Sequence, residues 1–71
     1  MSGMKSITLY SGNSKPINPH YRYKHPGAAV RRAVSLAMEG TRLIQIWDLS
    51  RGKELCLVSR FGGRVTLEVR R

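Results

Sequence analysis

Two consecutive stretches, "TRLIQIWDL" (41–49) and "KELCLVSR" (53–60), are apolar on both alternations of an extended chain, which sets how much surface the fold must hide. Flanking "SRG", they read as a β-hairpin with a three-residue loop and Gly52 in the left-handed position. That register puts Leu49 opposite Lys53, Trp47 opposite Leu55 and Ile46 opposite Cys56. Leu43, Trp47, Leu49, Leu55 and Leu57 then share one face, and Ile44, Ile46, Cys56 and Val58 share the other. A sheet apolar on both sides needs a cover on each.

The sequence offers one helix for that task. Pro26 suits a first helical position, where its missing N–H costs nothing. Beyond Gly27, Val30, Ala33, Val34, Ala37 and Met38 recur at the spacing of one apolar face, with Arg31, Arg32, Ser35 and Glu39 opposite. Alanines and the lack of a bulky aromatic let this helix lie close to a sheet. Gly40 is placed to end it in a left-handed conformation.

Upstream, "KSITLY" (5–10) alternates as a first strand, with Ile7 and Leu9 on one face. "SGNSKPINP" is loop-like, and Asn18 and Pro19 offer either a single helical turn or an extended path through 14–25. Downstream, "RVTLEVRR" alternates cleanly after "FGG". A three-residue turn would put Val65, Leu67 and Val69 on the Trp47 side and Arg60 opposite Arg64. A two-residue Gly62-Gly63 turn would put them on the Ile46 side, because one residue of slip flips every side chain. The expected fold class is α+β: a small β-α-β-β-β domain with an antiparallel sheet of three or four strands and one helix packed on one face. It forms a single domain over residues 1–71, with a flexible N-terminus at 1–4 and a long loop at 11–25. The second face then calls for the 11–25 loop, a second protomer or a different protein, since a contiguous apolar patch is unusual on a monomer.

Charge narrows the partner. Thirteen Lys and Arg against four acids give a net charge of +9, and no acid precedes Glu39. Such an excess favours polyanions or acidic protein surfaces. With Cys56 as the lone cysteine no intrachain disulfide forms, and Cys56, His20 and His25 lack zinc-ligand spacing. No metal or cofactor is implied. The chain holds no apolar run of about 18 residues, and "MSGMKSITLY" lacks the apolar core of a signal peptide. A cytoplasmic protein is expected, with no membrane partner.

"NPHYRYKHPG" alternates aromatic and basic residues: Tyr21 and Tyr23 suit base stacking, while His20, Arg22 and Lys24 suit phosphates. Shielding of the uncovered sheet face by the two tyrosines is the bland alternative. Arg31 and Arg32 sit in the first half of the helix, where basic residues oppose the macrodipole unless an anion lies nearby. Arg42, Arg60, Arg64, Arg70 and Arg71 suggest a second patch, and Arg60 beside Arg64 would be a destabilising like-charge pair without an anionic partner. "RFGGRV" lacks the Lys-Ser/Thr of a P-loop and precedes a strand. The acids show no spacing for general acid–base work. His20 and His25 permit a metal-independent ribonuclease without suggesting one.

In size, basicity and layout the chain resembles compact accessory proteins of phages and other mobile elements, including inhibitors that dock on larger host complexes. The likeness is architectural and rests on no specific residue. Two functional classes follow. The first is a non-catalytic nucleic-acid-binding protein for RNA or DNA, using Tyr21, Arg22, Tyr23, Lys24, Arg31, Arg32, Arg60 and Arg64. The second is a protein-interaction module, as a homodimer or on an acidic host protein, anchored by Trp47, Leu55 and Leu57.

Overall fold

The computed structural model describes residues 5–17 and 21–70. The expectations for 1–4, for Asn18, Pro19 and His20, and for Arg71 lie outside these described residues. The elements are β1 (Ile7–Ser11), β2 (Pro16–Ile17), α1 (Pro26–Glu39), β3 (Leu43–Asp48), β4 (Lys53–Phe61) and β5 (Arg64–Val69). All strands join one antiparallel sheet in the order β2-β1-β3-β4-β5, with α1 packed on one face. The class is therefore α+β as expected, but the sheet has five strands rather than three or four.

The extra strand lies in the segment expected to be loop. After a tight turn closed by Ser11 N–H to the Lys15 carbonyl (2.8 Å), Pro16 and Ile17 pair with Tyr10 and Leu9. The chain meets β1 again at Tyr23, which exchanges backbone hydrogen bonds with Ile7 (3.1 and 2.8 Å). A two-residue strand that contains a proline has no periodicity to read, so only its pairing reveals it.

Helix α1 presents Ala29, Ala33 and Ala37, one per turn and fully buried, as a column against the sheet. Val30, Val34 and Leu36 flank the column. Met38, expected on the apolar face, is instead 71% exposed. The buried stripe is centred on Ala33 because small side chains allow the closest approach, and Leu36 takes the flank opposite Val30. The helix ends as expected: Gly40 has φ 132°, its N–H bonds to the Ala37 carbonyl, and the Thr41 N–H reaches Leu36. Beneath α1 lie Ile7, Leu9, Ile44, Ile46, Cys56 and Val58, all buried.

Both hairpin registers carry information. In β3–β4 the pair Ile46–Cys56 forms as expected, but a bulge follows it. Trp47 consequently faces Glu54 rather than Leu55, and Asp48 rather than Leu49 faces Lys53. Leu55 becomes the extra residue and packs against the helix-side core instead of joining Trp47. In β4–β5, Gly62 (φ 58°) and Gly63 (φ 81°) form a two-residue turn with Phe61 opposite Arg64. This places Val65, Leu67 and Val69 on the Ile46 side. It also corrects the proposed Arg60–Arg64 pairing, because Arg60 lies opposite Val65.

Asp48 locks β1 to the β3–β4 turn. Its carboxylate accepts from Ser50 Oγ (2.6 Å), Ser50 N–H (3.0 Å) and Ser6 Oγ (2.9 Å), with Arg51 at 3.6 Å. The Ser50 hydroxyl, then Ser6, hold its pKa below the usual aspartate value against the opposing effect of burial. A depressed carboxylate pKa contributes stability that is present above the unfolded-state value and is lost as pH falls through the folded one. Asp48→Asn is therefore expected to flatten the acid limb of the stability-versus-pH curve, measured by urea unfolding from neutral pH downward. An acid limb of unchanged steepness would show that this carboxylate is not linked to folding.

Candidate polyanion-binding surface

The strands deliver the basic residues to two opposite ends of the sheet. The first end is where β1 begins, β3 finishes and α1 starts. Here the Ile7–Tyr23 bridge draws the segment before the helix against β1. Tyr23 is half-buried against the core, and the more exposed Tyr21 meets it edge-on at 4.8 Å between centroids. Lys5 Nζ lies 5.9 Å from the Tyr21 ring centre, at the outer limit of a cation–π contact. Burial pushes the Tyr23 hydroxyl above the usual tyrosine pKa, partly countered by the charge of Arg32. Lys5, Tyr21, Tyr23 and Arg32 are thus neighbours, with Arg22, Lys24 and Arg31 exposed on the same segment and helix. The helix start adds unpaired amides: His25 occupies the cap without a side-chain hydrogen bond, and the first turn has no acid.

The second end is the β4–β5 turn. Arg60 N–H donates to the Arg42 carbonyl (2.8 Å), continuing the β3–β4 register so that these two arginines face each other. The like-charge argument from sequence therefore applies to Arg42 and Arg60, not to Arg60 and Arg64. The two line a recess of about 290 Å³ with Phe61, Gly62 and Gly63. Phe61 is 90% exposed, with Arg64 as its cross-strand partner. From Arg42 to Asp48 the strand rise separates the two ends by about 20 Å.

Asp48 lies at the first end, where it pairs with Ile7 and accepts from Ser6, but each carboxylate already has a partner of its own. Asp48 is held by Arg51, Glu54 and Glu68 by Arg70, and Glu39 accepts from Ser35 Oγ at 3.5 Å. These are all four acids of the chain. Among the described residues, only Arg51 and Arg70 have ion-pair partners. Arg70 thereby leaves the proposed second patch.

The second sheet face is open among the described residues, because Ile17 and Tyr23 turn to the helix side. Tyr10, Leu43, Trp47 and Leu57 are half-exposed there, interleaved with Gln45, Ser59 and Thr66. Trp47 Nε1 donates to Gln45 Oε1 (3.1 Å), and its ring meets Tyr10 edge-on at 6.3 Å. A shallow depression of about 390 Å³ lies over Tyr10, Gln45 and Trp47. Of the three residues expected as interface anchors, Trp47 and Leu57 lie on this face and Leu55 does not.

Cys56 is buried beneath the helix, and burial, followed by the Glu54 charge, raises its thiol pKa. Its reaction with a disulfide reagent is expected to be limited by unfolding. Labelling as fast as that of a free thiol would contradict this placement.

Lys5 and Phe61 were not legible as site residues, since Lys5 is recruited by the Ile7–Tyr23 bridge and Phe61 reads as part of a turn. In comparisons with known proteins, no family model, no curated protein and no solved structure matches the chain.

Proposed function

We propose that this protein binds single-stranded nucleic acid, RNA or DNA, without catalysis. One observation carries the reading: two clusters of aromatics and cations lie at opposite ends of the sheet, and each of the four carboxylates, Asp48 at the first end included, already has a hydrogen-bond or ion-pair partner. Self-repulsion within each cluster is relieved by phosphate, and Tyr21 and Phe61 supply π-faces for unpaired bases. A strand engages both ends, whereas a small anion fills only one. The reading puts the protein in the cytoplasm, where the reduced, buried Cys56 is stable; among the described residues no helix is long and apolar enough to cross a membrane.

Anisotropy of labelled oligonucleotides across a salt series tests this. The logarithm of affinity is expected to fall linearly with the logarithm of salt, by about 0.7 per phosphate contact. Oligomers long enough to span about 20 Å should bind more tightly than dinucleotides, with inorganic phosphate a poor competitor. Salt-independent affinity would refute the proposal.

The half-exposed Trp47 and Leu57 favour a second reading, docking of the open sheet face on an acidic surface of a larger complex. Trp47 fluorescence separates the two. Binding at the two ends leaves its emission nearly unchanged, whereas docking on the face shifts it.

A further inference from the structure

The two edges of the sheet are unlike. Edge strand β2 has two residues, one of them a proline with no N–H to offer, both features that discourage further pairing. Edge strand β5 has six residues, an unbroken register with β4 and no proline. Arg70 N–H donates inward to the Leu55 carbonyl at 2.9 Å. By alternation, the N–H and C=O groups of Val65, Leu67 and Val69 point away from β4, along an edge that no other strand among the described residues occupies. The helix does not fully cover these residues, and Leu67 and Val69 are 48% and 60% exposed.

We propose that this edge is a self-association site, at which β5 of one chain pairs antiparallel with β5 of a second copy about a two-fold axis through Thr66. The charge pattern selects both occupant and register. With Thr66 opposite Thr66, Arg64 of each copy faces Glu68 of the other on one side of the sheet, and Val65 faces Leu67 on the helix side. The outward-pointing groups of Val65 and Leu67 are then the ones that exchange hydrogen bonds. A two-residue shift one way sets Arg64 against Arg70, and a shift the other way leaves Glu68 opposite Gly62. Only the Thr66-centred register matches both charges and buries the exposed apolar row. The product is a continuous ten-stranded sheet in which Leu67 and Val69 form a seam between the two helices.

Sedimentation velocity over a concentration series, without oligonucleotide, tests the pairing independently of the nucleic-acid reading. The average mass is expected to rise towards twice the 8.0 kDa of one chain. Added salt should favour the dimer by screening the net charge of +9 on each copy, opposite to its effect on nucleic-acid binding. Glu68→Arg puts arginine opposite arginine twice per dimer and should weaken association by about tenfold or more. Arg64→Glu/Glu68→Arg should restore it, and circular dichroism checks that each variant is folded. Leu43→Lys, on the open face and two strands away from β5, should leave association unchanged. A wild-type chain that stays monomeric at all concentrations leaves the edge to an extended segment of another protein and overturns the proposal. Failure of the double variant to rescue also overturns it, as does a dimer dispersed by Leu43→Lys but not by Glu68→Arg.

Discussion

Arg22→Ala/Arg31→Ala/Arg32→Ala is expected to bind single-stranded oligonucleotide about 500-fold more weakly than the wild type at about 50 mM salt. The magnitude follows from counterion release, since each lost phosphate contact removes about 0.7 from the salt slope, nearly a factor of ten at that ionic strength. The three side chains are exposed and have no ion-pair partner among the described residues, so removing them costs the fold little. The salt slope should become shallower by about 2. Arg51→Ala/Arg70→Ala, which removes as many as two charges but only ones already paired with Asp48, Glu54 and Glu68, should change affinity far less. Equal losses per charge removed in the two variants would mean that net charge alone attracts the ligand and that the helix-start cluster is no site.

Ile44→Ala should lower stability by about 2–5 kcal/mol, because a fully buried side chain is cut back beneath a helix that cannot follow it. A chain of 71 residues has roughly 4–10 kcal/mol in total at typical per-residue stability. Much of the population is then expected to unfold at physiological temperature. Leu57→Ala removes a similar side chain from the opposite, half-exposed face and should cost about 1 kcal/mol or less, in proportion to the smaller area hidden. Urea unfolding followed by Trp47 fluorescence measures both. Equal costs would mean that the second face is already covered in solution, contradicting an open sheet surface.

The helix stop at Gly40, the first strand and the Ile46–Cys56 pairing were all readable, because local patterning and glycine chemistry decide them. The bulge in β3–β4 was not, and the β4–β5 turn stayed open between two residues and three. The turn after Phe61 forms with two residues rather than three because consecutive glycines both accept positive φ, and this turned Val65, Leu67 and Val69 under the helix side and separated Arg60 from Arg64. The bulge after Ile46 likewise moved Leu55 off the Trp47 face. Each shift is a single residue, too small to alter a pattern of alternation yet enough to reverse a face.

By itself the sequence determined that one amphipathic helix meets a sheet apolar on both sides, and that cations outnumber acids most heavily before Glu39. Period and composition are properties of neighbouring residues, so they survive without a fold. Only the tertiary structure decided which face the helix takes, that Ile17 and Tyr23 join that same side, and that the basic residues divide between two ends of the sheet. Those outcomes depend on pairings between residues far apart in the chain: Ile7 with Tyr23, Arg42 with Arg60, Phe61 with Arg64 across a glycine turn. Such pairings are set by the balance of burial and hydrogen bonding over the whole sheet, which no local stretch encodes.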